Sequence, residues 1–241
     1  MDVSLHDVRH ALVELGRLRF GEMKVEDAIR EIVHTTHSMF HVDGAGLMLA
    51  DADQHLRSVA ASDARFTHLE DLQIQHQEGP CIDAFDTKKL VGVEDLADDC
   101  RWPLFSDAAV ARQVRAVLAS PIPYNQYAVG VVAVLSEKSH PWSPEGELAL
   151  LAFTDLAALL IASMMLGEEQ SGISAQLQGA LNSRQVIEQA KGVLIGTRGI
   201  SARAAYEQLR AQARAERRKL AAVCADVVED ASRPAAEPPA G

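Results

Sequence analysis

The sequence predicts an α+β protein, with an N-terminal antiparallel sheet and flanking helices followed by a C-terminal three-helix bundle. Apolar residues recur at three- and four-residue intervals over 5–20 and 24–41, as in amphipathic helices. Between 44 and 135 the pattern changes to short apolar runs with one helical excursion, and helical spacing returns after 177. Sequential strands of this kind favour an antiparallel sheet, which we expect to carry its helices on one side.

The first strands form a predicted hairpin. Two short apolar-rich runs, 44–51 and 55–62, are joined by Asp-Ala-Asp-Gln. Residues 64–77 are expected to be partly helical, and 77–81, Gln-Glu-Gly-Pro-Cys, to be a turn because Gly79 and Pro80 interrupt regular structure. Further strands are predicted at 90–95, 114–122 and 129–135, with a short helix at 101–113.

The stretch 145–167 is unusually apolar for a helix of a globular protein. Residues 148–166 contain only one charged side chain, Asp155, and are long enough to span a bilayer. Asp155 would be costly in mid-membrane, and the flanks are acidic without nearby Lys or Arg. We therefore expect a helix buried between the sheet and a second protomer, and thus a homodimer without membrane insertion. Ser171 and Gly172 predict a break before the next helix.

The stretch 183–215 predicts two helices joined by a tight turn. Over 184–195, Ile187, Ala190 and Leu194 form a narrow apolar stripe, while Arg184 and Lys191 share another side. Two glycines, Gly196 and Gly199, then interrupt the helix, and Ser201 can cap the next one.

The second of these helices carries a basic stripe. At about 100 degrees per residue, three arginines fall within about 40 degrees of Arg203: Arg210, Arg214 and Arg217. Tyr206 lies at the border between this stripe and the apolar side. Guanidinium groups beside an aromatic ring suit looped or single-stranded RNA, because phosphates need cations and unstacked bases need a flat partner. The alternative is a solvated basic face beside a core tyrosine.

Charge is divided unevenly along the 241 residues, whose formal net charge is −11. Residues 1–170 hold 13 Lys and Arg against 27 Asp and Glu, whereas 171–233 hold 10 against 6. The change of sign indicates a domain boundary and keeps the acidic part away from phosphates. The three cysteines are far apart and the N-terminus lacks the pattern of a secretory signal, so we expect a cytoplasmic protein.

The C-terminal quarter resembles the ANTAR domain of bacterial antitermination regulators. The resemblance rests on Ala190-Lys191-Gly192, on a later set and on the third apolar period in KLAAVCADVV. The later set is Ala205, Tyr206, Leu209, Arg210 and Ala213. The resemblance to the ANTAR domain implies a three-helix bundle that binds tandem RNA stem-loops and so prevents a terminator hairpin from forming. It also implies that Ala190 and Gly192 allow close approach of the helices. The expected RNA-binding residues are Arg184, Lys191, Arg198, Arg203, Tyr206, Arg210 and Arg214.

Residues 22–165 resemble the GAF family of sensor domains. The resemblance rests on EGPCIDAF, on the segment from VGVEDLADDCRW to AVLASPI, and on AVGVVAVLS with PWSPE. It implies a sheet fold with a small-molecule ligand whose identity the family does not specify. Cys81 and Trp102 are candidates for lining the ligand pocket, and no cofactor is identified. The cysteines and histidines do not clearly copy a tetrapyrrole-attaching member.

Two other function classes stay open. Cys81 and Cys100 allow a thiol enzyme or redox sensor similar to the free methionine sulfoxide reductases, which have a GAF fold, although cysteine is more often a small buried residue. A small basic bundle also suits a DNA-binding regulator. The spacing of His34, His37 and His41 suits a metal pair, but nothing completes a site, so neither a metal nor a catalytic residue is predicted.

These patterns predict a regulator in which a sensor domain controls an RNA-binding domain. The expected parts are an N-terminal helix at 1–21 that can contact a second protomer, the sensor domain at 22–165 and a connecting region at 166–176. They are followed by the RNA-binding domain at 177–232 and a Pro- and Ala-rich tail at 233–241 without regular structure.

Overall fold

A computed structural model describes residues 3–17, 23–124, 127–165 and 172–232 of the protein. The chain divides into two compact units, Met1–Asp51 with His55–Leu177 and Ala52–Gln54 with Gln178–Gly241. The predicted tail at 233–241 lies outside the described residues. So do residues 166–171 of the predicted connecting region, 166–176.

The first unit begins with two helices, α1 (Leu5–Arg17) and α2 (Val25–Phe40), which pack against each other. The apolar spacing of α2 places its buried residues on one side; they include Val25, Ala28, Ile29, Ile32 and Val33. His41 adopts a left-handed conformation with φ of 49° and ends the helix.

The sheet of the first unit has five antiparallel strands in the order β2-β1-β5-β4-β3. The strands are β1 (Gly44–Ala50), β2 (Leu56–Ala61), β3 (Val91–Val93), β4 (Ala116–Tyr124) and β5 (Tyr127–Ser136). Strands β1 and β2 pair as one hairpin, and β4 and β5 pair as another. The two hairpins are hydrogen-bonded to each other through β1 and β5. The predicted α+β class with an antiparallel sheet is confirmed.

Helices cover both faces of this sheet, and the expectation of helices on one side was wrong. On β4, Val117 packs in a cluster with Phe66 of helix α3 (Ala64–His76) and Phe105 of helix α5 (Pro103–Val110). Ser120 Oγ instead lies 2.9 Å from Thr154 Oγ1 of helix α6 (Pro144–Met165). Residues 117 and 120 point to opposite faces because side chains alternate along a strand. The central strands are therefore apolar throughout, as their burial along the whole length shows.

Between β2 and β4 the chain forms α3 (Ala64–His76) and α4 (Pro80–Thr87), then β3, then α5 (Pro103–Val110). The predicted turn at 77–81 is shorter than expected, because α4 already begins at Pro80. Proline is well tolerated at the first helical position, where its missing N–H leaves no intrahelical bond unmade. The Gly-Pro pair thus marks the start of a helix as well as the end of a turn.

Helix α6 (Pro144–Met165) packs against β4 and α2. Its residues Phe153, Ala157 and Ile161 are buried, whereas Leu148 and Leu159 are 67% and 69% exposed. Within the described part of the chain, no helix has the length and apolarity needed to cross a bilayer. One side of α6 is therefore buried inside its own unit, whereas Leu148 and Leu159 are not.

The second unit contains α8 (Ala202–Glu216), α9 (Leu220–Ser232) and most of α7 (Gly172–Arg198). Helix α7 continues through Gly196 and stops only before Gly199, whose φ is +65°. A glycine inside a helix costs only about 1 kcal/mol, whereas a left-handed φ is the position that favours glycine. Of the two predicted helix breakers, Gly199 alone ends the helix.

Candidate functional sites

The three helices of the second unit share one apolar core. Buried residues at helical spacing form it: Ile187, Ala190 and Leu194 of α7, Ala205, Leu209 and Ala213 of α8, and Leu220, Val223 and Cys224 of α9. Ala190 is fully buried, as close helix approach requires. Gly192 is exposed, and a methyl group there would meet nothing within 4 Å, so it is not a close-approach position within this fold.

The turn between α7 and α8 is closed by backbone and side-chain hydrogen bonds. Gly199 N donates to Ile195 O at 2.9 Å, which satisfies a carbonyl at the end of α7. Ser201 Oγ accepts from Ala204 N at 3.2 Å and caps α8, as predicted. This turn sets the spacing between the cations at the end of α7 and those on α8.

The basic residues of α8 differ in exposure. Arg203 and Arg214 are exposed, and Arg210 is half-buried on the same side of the helix. Arg198, at the end of α7, is also exposed. Among the described residues, Arg198, Arg203 and Arg214 are in no ion pair shorter than 4.0 Å. Their charges are therefore available to an external anion.

Arg217 does not extend this stripe in helical register. It is the residue that ends α8, in a left-handed conformation with φ of 52°. Tyr206 packs at the edge of the core, half-buried, and its hydroxyl donates to Asp53 O at 3.2 Å. The ring therefore has one edge in the core and one at the surface, as the border position predicted.

Two of the three predicted cations on α7, Arg184 and Lys191, flank a carboxylate. Lys191 Nζ lies 2.9 Å and Arg184 Nε 3.4 Å from Glu188 Oε1. Arg184 Nη1 also donates to Gln54 Oε1 at 2.7 Å, within the same unit. The side chains of Arg184 and Lys191 are only 11% and 18% exposed. Sequence spacing predicted their shared side but missed Glu188, which lies four residues after Arg184 and three before Lys191.

In the first unit, the segment around Gly79 and Pro80 is held by Gln73. Gln73 Oε1 accepts from Cys81 N at 2.8 Å, and Gln73 Nε2 donates to Cys81 Sγ at 3.4 Å. Gly79 has φ of +134°, and any side chain there would overlap Gln73. The buried side-chain amide of Gln73 thus accepts a hydrogen bond from Cys81 N, the first free N–H of α4. At most helix starts, the acceptor is a side chain close by in the sequence.

Two acidic residues near Gly79 and Pro80, Glu78 and Asp83, form hydrogen bonds to the start of α5. Glu78 Oε1 accepts from Leu104 N at 2.7 Å and from Phe105 N at 3.0 Å, so it caps α5 from a distant part of the chain. Asp83 Oδ2 accepts from Trp102 Nε1 at 3.0 Å. The EGPCIDAF segment therefore joins α4 to the start of α5.

The two candidates for a ligand pocket are both buried. Cys81 is 1% and Trp102 3% exposed, and Trp102 belongs to the apolar cluster between the sheet and α5. The Arg101 guanidinium lies over the Trp102 ring, 4.2 Å from its centre. Asp83 links Trp102 to α4, the helix that also contains Cys81.

The cysteines are free thiols in different surroundings. Burial, together with the charge of Glu70, raises the pKa of the Cys81 thiol to about 12, and burial raises the pKa of Cys224 to about 11. Cys100 is exposed and lines a groove of about 350 Å³ beside Asp98 and Asp107. A nucleophilic cysteine needs a low pKa, so Cys81 does not suit that chemistry.

Histidines gather between α1 and α2. His34 and His41 line a cleft of about 420 Å³ together with His6 and His10, whereas His37 does not line it. Within the residues that the structure covers, no group of three His, Cys, Asp or Glu side chains has metal-binding geometry.

Sequence reasoning missed one buried carboxyl in the first unit. Glu70 of α3 is 3% exposed, and burial raises its pKa to about 8. Ser58 Oγ of β2 is hydrogen-bonded to Glu70 Oε2, and Oε1 is buried without a partner among the described residues. The sequence gives a weak signal for it, because Glu70 follows the buried Phe66 and Leu69 at i+4 and i+1.

Comparison with known proteins extends these observations. The GAF domain model matches residues 24–161, and the ANTAR domain model matches residues 175–228. No curated protein matches the chain.

Several solved structures are similar in fold. A GAF domain from an Acinetobacter phosphoenolpyruvate-protein phosphotransferase is 17% identical, with a TM-score of 0.52 over 66% of this chain and 92% of that one. A GAF domain from the corresponding Coxiella burnetii protein is 16% identical, with a TM-score of 0.51 over 66% and 92%. The free methionine-R-sulfoxide reductase of Neisseria meningitidis, in complex with its substrate, is 13% identical, with a TM-score of 0.54 over 70% and 97%.

At such identities the likeness supports the fold only, while the two family models cover both regions that the sequence resemblance indicated. A sensing domain followed by an antitermination domain is the composition of a regulator rather than of an enzyme. The chain belongs to the GAF domain family and carries a C-terminal ANTAR domain.

Proposed function

We propose that this protein binds stem-loops in nascent RNA through its second unit and so controls transcription termination. The observation that carries the proposal is the α8 surface, where Arg203 and Arg214 are exposed beside the half-buried Arg210 and Tyr206. Cations on one side of a helix can follow a phosphate backbone, and the adjacent ring can stack on an unpaired base of a loop.

Arg184 and Lys191 of α7 contribute less to the attraction for RNA than the exposed arginines. Glu188 lies between Arg184 and Lys191, and its carboxylate offsets part of their attraction for phosphate. We therefore propose that Arg198, Arg203, Arg210 and Arg214 supply most of the electrostatic affinity. Arg184 and Lys191 then bind the RNA more weakly, at the edge of the same bundle.

Binding measurements on α8 variants test this proposal. RNA that crosslinks to the protein in cells is sequenced, and a recovered stem-loop is titrated with wild type, Arg203→Ala and Arg210→Ala at several salt concentrations. Each variant is expected to bind less tightly and to lower the salt slope by roughly one unit. Arg203→Ala should leave stability within about 0.5 kcal/mol because its side chain is exposed.

Arg218→Ala is the matched control. Arg218 lies in the same unit, but its guanidinium is already paired with Asp226 at 2.6 Å and Glu216 at 3.1 Å. Its removal is expected to change RNA affinity little. Wild-type affinity in both α8 variants would identify the arginine stripe as solvated surface, and a preference for duplex DNA with spaced half-sites would favour the DNA-binding alternative.

We further propose that the protein is a homodimer in the cytoplasm. The exposed leucines of α6, Leu148, Leu151 and Leu159, form an apolar surface on the side away from the sheet. Leu12 and Val13 of α1 are also more than 40% exposed and can extend the contact. Two bundles held together would bind a second stem-loop at a high effective concentration, which suits a tandem RNA target.

In this proposal the first unit senses a small molecule or a chemical state. A ligand would shift the paired α6 helices only if it binds their two arrangements with unequal affinity. The thiol-enzyme alternative is disfavoured because the raised pKa of Cys81 leaves little thiolate at neutral pH.

A further inference from the structure

Glu70 is a buried carboxyl whose surroundings suit its neutral form. Its Oε2 is hydrogen-bonded to Ser58 Oγ, and its Oε1 lies against Gly46 of β1, where even a methyl group would overlap it. The residue is 3% exposed, and Oε1 is buried without a hydrogen-bond partner among the described residues. Ser58 Oγ donates to Oε2, which favours the ionised form, whereas burial and the lack of a donor to Oε1 among the described residues favour the neutral form.

The groups that face Glu70 do not compensate a negative charge. Helix α3 packs against β1, β2, α4 and α5. Strand β2 contributes the neutral Ser58, α4 contributes the Cys81 thiol, and Asp71 on α3 adds a second negative charge. Helix α5 meets α3 in an apolar cluster. None of these neighbours is a cation, so an ionised Glu70 would be a buried and unpaired charge.

We propose that Glu70 is a proton-binding site of the sensor unit, neutral when α3 is packed against β1 and β2, and that loss of this proton loosens the packing. The carboxyl must either stay protonated or move toward water, because an unpaired buried charge costs several kilocalories per mole. Movement of Glu70 would uncover Gly46 and Ser58 and displace the middle of α3. The state of the sensor unit is then linked to pH, whatever the second unit binds.

The direction of the pH dependence follows from the proton count. The pKa of Glu70 is raised from 4.5 to about 8 in the folded protein. Between these values the folded state holds a proton that the unfolded chain has released, so stability falls as the pH rises toward 8 and levels off above it. For one proton, the unfolding equilibrium constant rises about tenfold per pH unit inside this window.

Infrared spectroscopy of the full chain tests the site directly. At pH 7 the wild type is expected to show the C=O stretch of a neutral carboxylic acid, which disappears with a midpoint near pH 8. Glu70→Gln, which mimics the neutral form, should lack the band, and Asp71→Asn, which removes an exposed carboxyl on the same helix, should keep it. Absence of the band from the wild type at pH 7, or its persistence in Glu70→Gln, would overturn the proposal.

Hydrogen exchange tests the conformational part. Amides of α3 and β2 should exchange faster in wild type than in Glu70→Gln at pH 9, and alike at pH 6, where both side chains are neutral. Equal exchange at both pH values contradicts loosening. If Glu70→Gln fails to fold, the infrared titration of the wild type alone decides whether the site binds a proton. Neither measurement uses RNA, so failure here is separate from failure of the proposed RNA binding.

Discussion

At the scale of single residues, Cys81 shows how a reactive side chain is made inert by its position. The thiol is 1% exposed, its backbone N–H is bound by Gln73, and burial holds its pKa near 12. At pH 7 roughly one molecule in 100,000 would carry the thiolate. Cys100, by contrast, is exposed and lines a groove.

This contrast predicts that neither thiol is needed for folding or RNA binding. Cys81→Ser should cost no more than about 2 kcal/mol, because Gln73 Nε2 can donate to the new hydroxyl, and Cys100→Ser should stay within about 0.5 kcal/mol. Urea unfolding and RNA titration check both variants. Reduction of free methionine-R-sulfoxide by the wild type, abolished by either substitution, would instead place the thiol-enzyme hypothesis first.

At the scale of elements, α5 depends on a residue far from it in the chain. Glu78 is 26 residues before Leu104, yet its carboxylate accepts from the amides of Leu104 and Phe105. Helix starts leave such N–H groups without intrahelical partners, and a negative charge there is also favoured by the helix dipole. The eight-residue α5 therefore relies on the segment before α4 for its N-terminus.

We predict that Glu78→Ala destabilises the first unit by about 1–2 kcal/mol, since it removes the acceptor for two amides, one of them on the buried Phe105. Glu78→Gln keeps an acceptor oxygen and should cost less. Glu137→Ala is a suitable control, because Glu137 is partly exposed and its ion pair is with the half-exposed Arg65. Equal urea midpoints for Glu78→Ala and the control would show that solvent caps α5 equally well.

At the scale of the whole molecule, α6 presents two apolar sides with different uses. Ile161 is 3% exposed within its own unit, whereas Leu159, two residues earlier, is 69% exposed. A two-residue step turns a helix by about 200 degrees, so the two side chains point in nearly opposite directions. One side stabilises the protomer, and the other is free to bind a second copy.

The two sides predict different outcomes for the same substitution. Leu159→Glu should leave the protomer folded but weaken the proposed dimer, because it places a carboxylate in an apolar contact. Ile161→Glu should unfold or severely destabilise the protomer, by several kilocalories per mole, since its carboxylate would be buried without a partner. Sedimentation and circular dichroism separate the two effects. A Leu159→Glu protein that sediments like the wild type would exclude this side of α6 as the dimer contact.

The sequence determined those features that depend on local spacing. Apolar periodicity predicted α2 and the strands, and a long apolar run predicted α6. The Ser201 cap and the Gly199 turn were both correct because each is a contact within a few residues. The motifs around Gly79 and Tyr206 led to the GAF and ANTAR families for the same reason. The division of charge between 1–170 and 171–233 also needs no fold.

Only the tertiary structure decided which residues compensate one another across the chain. The sequence could not show that Glu78 caps α5, that Ser58 is the partner of Glu70, or that helices cover both faces of the sheet. It also could not separate Leu159 from Ile161, because both are apolar and α6 is apolar nearly all round. Burial and pairing depend on which distant segments meet, and a carboxyl becomes a cap, an ion-pair partner or a proton-binding site according to the groups that surround it.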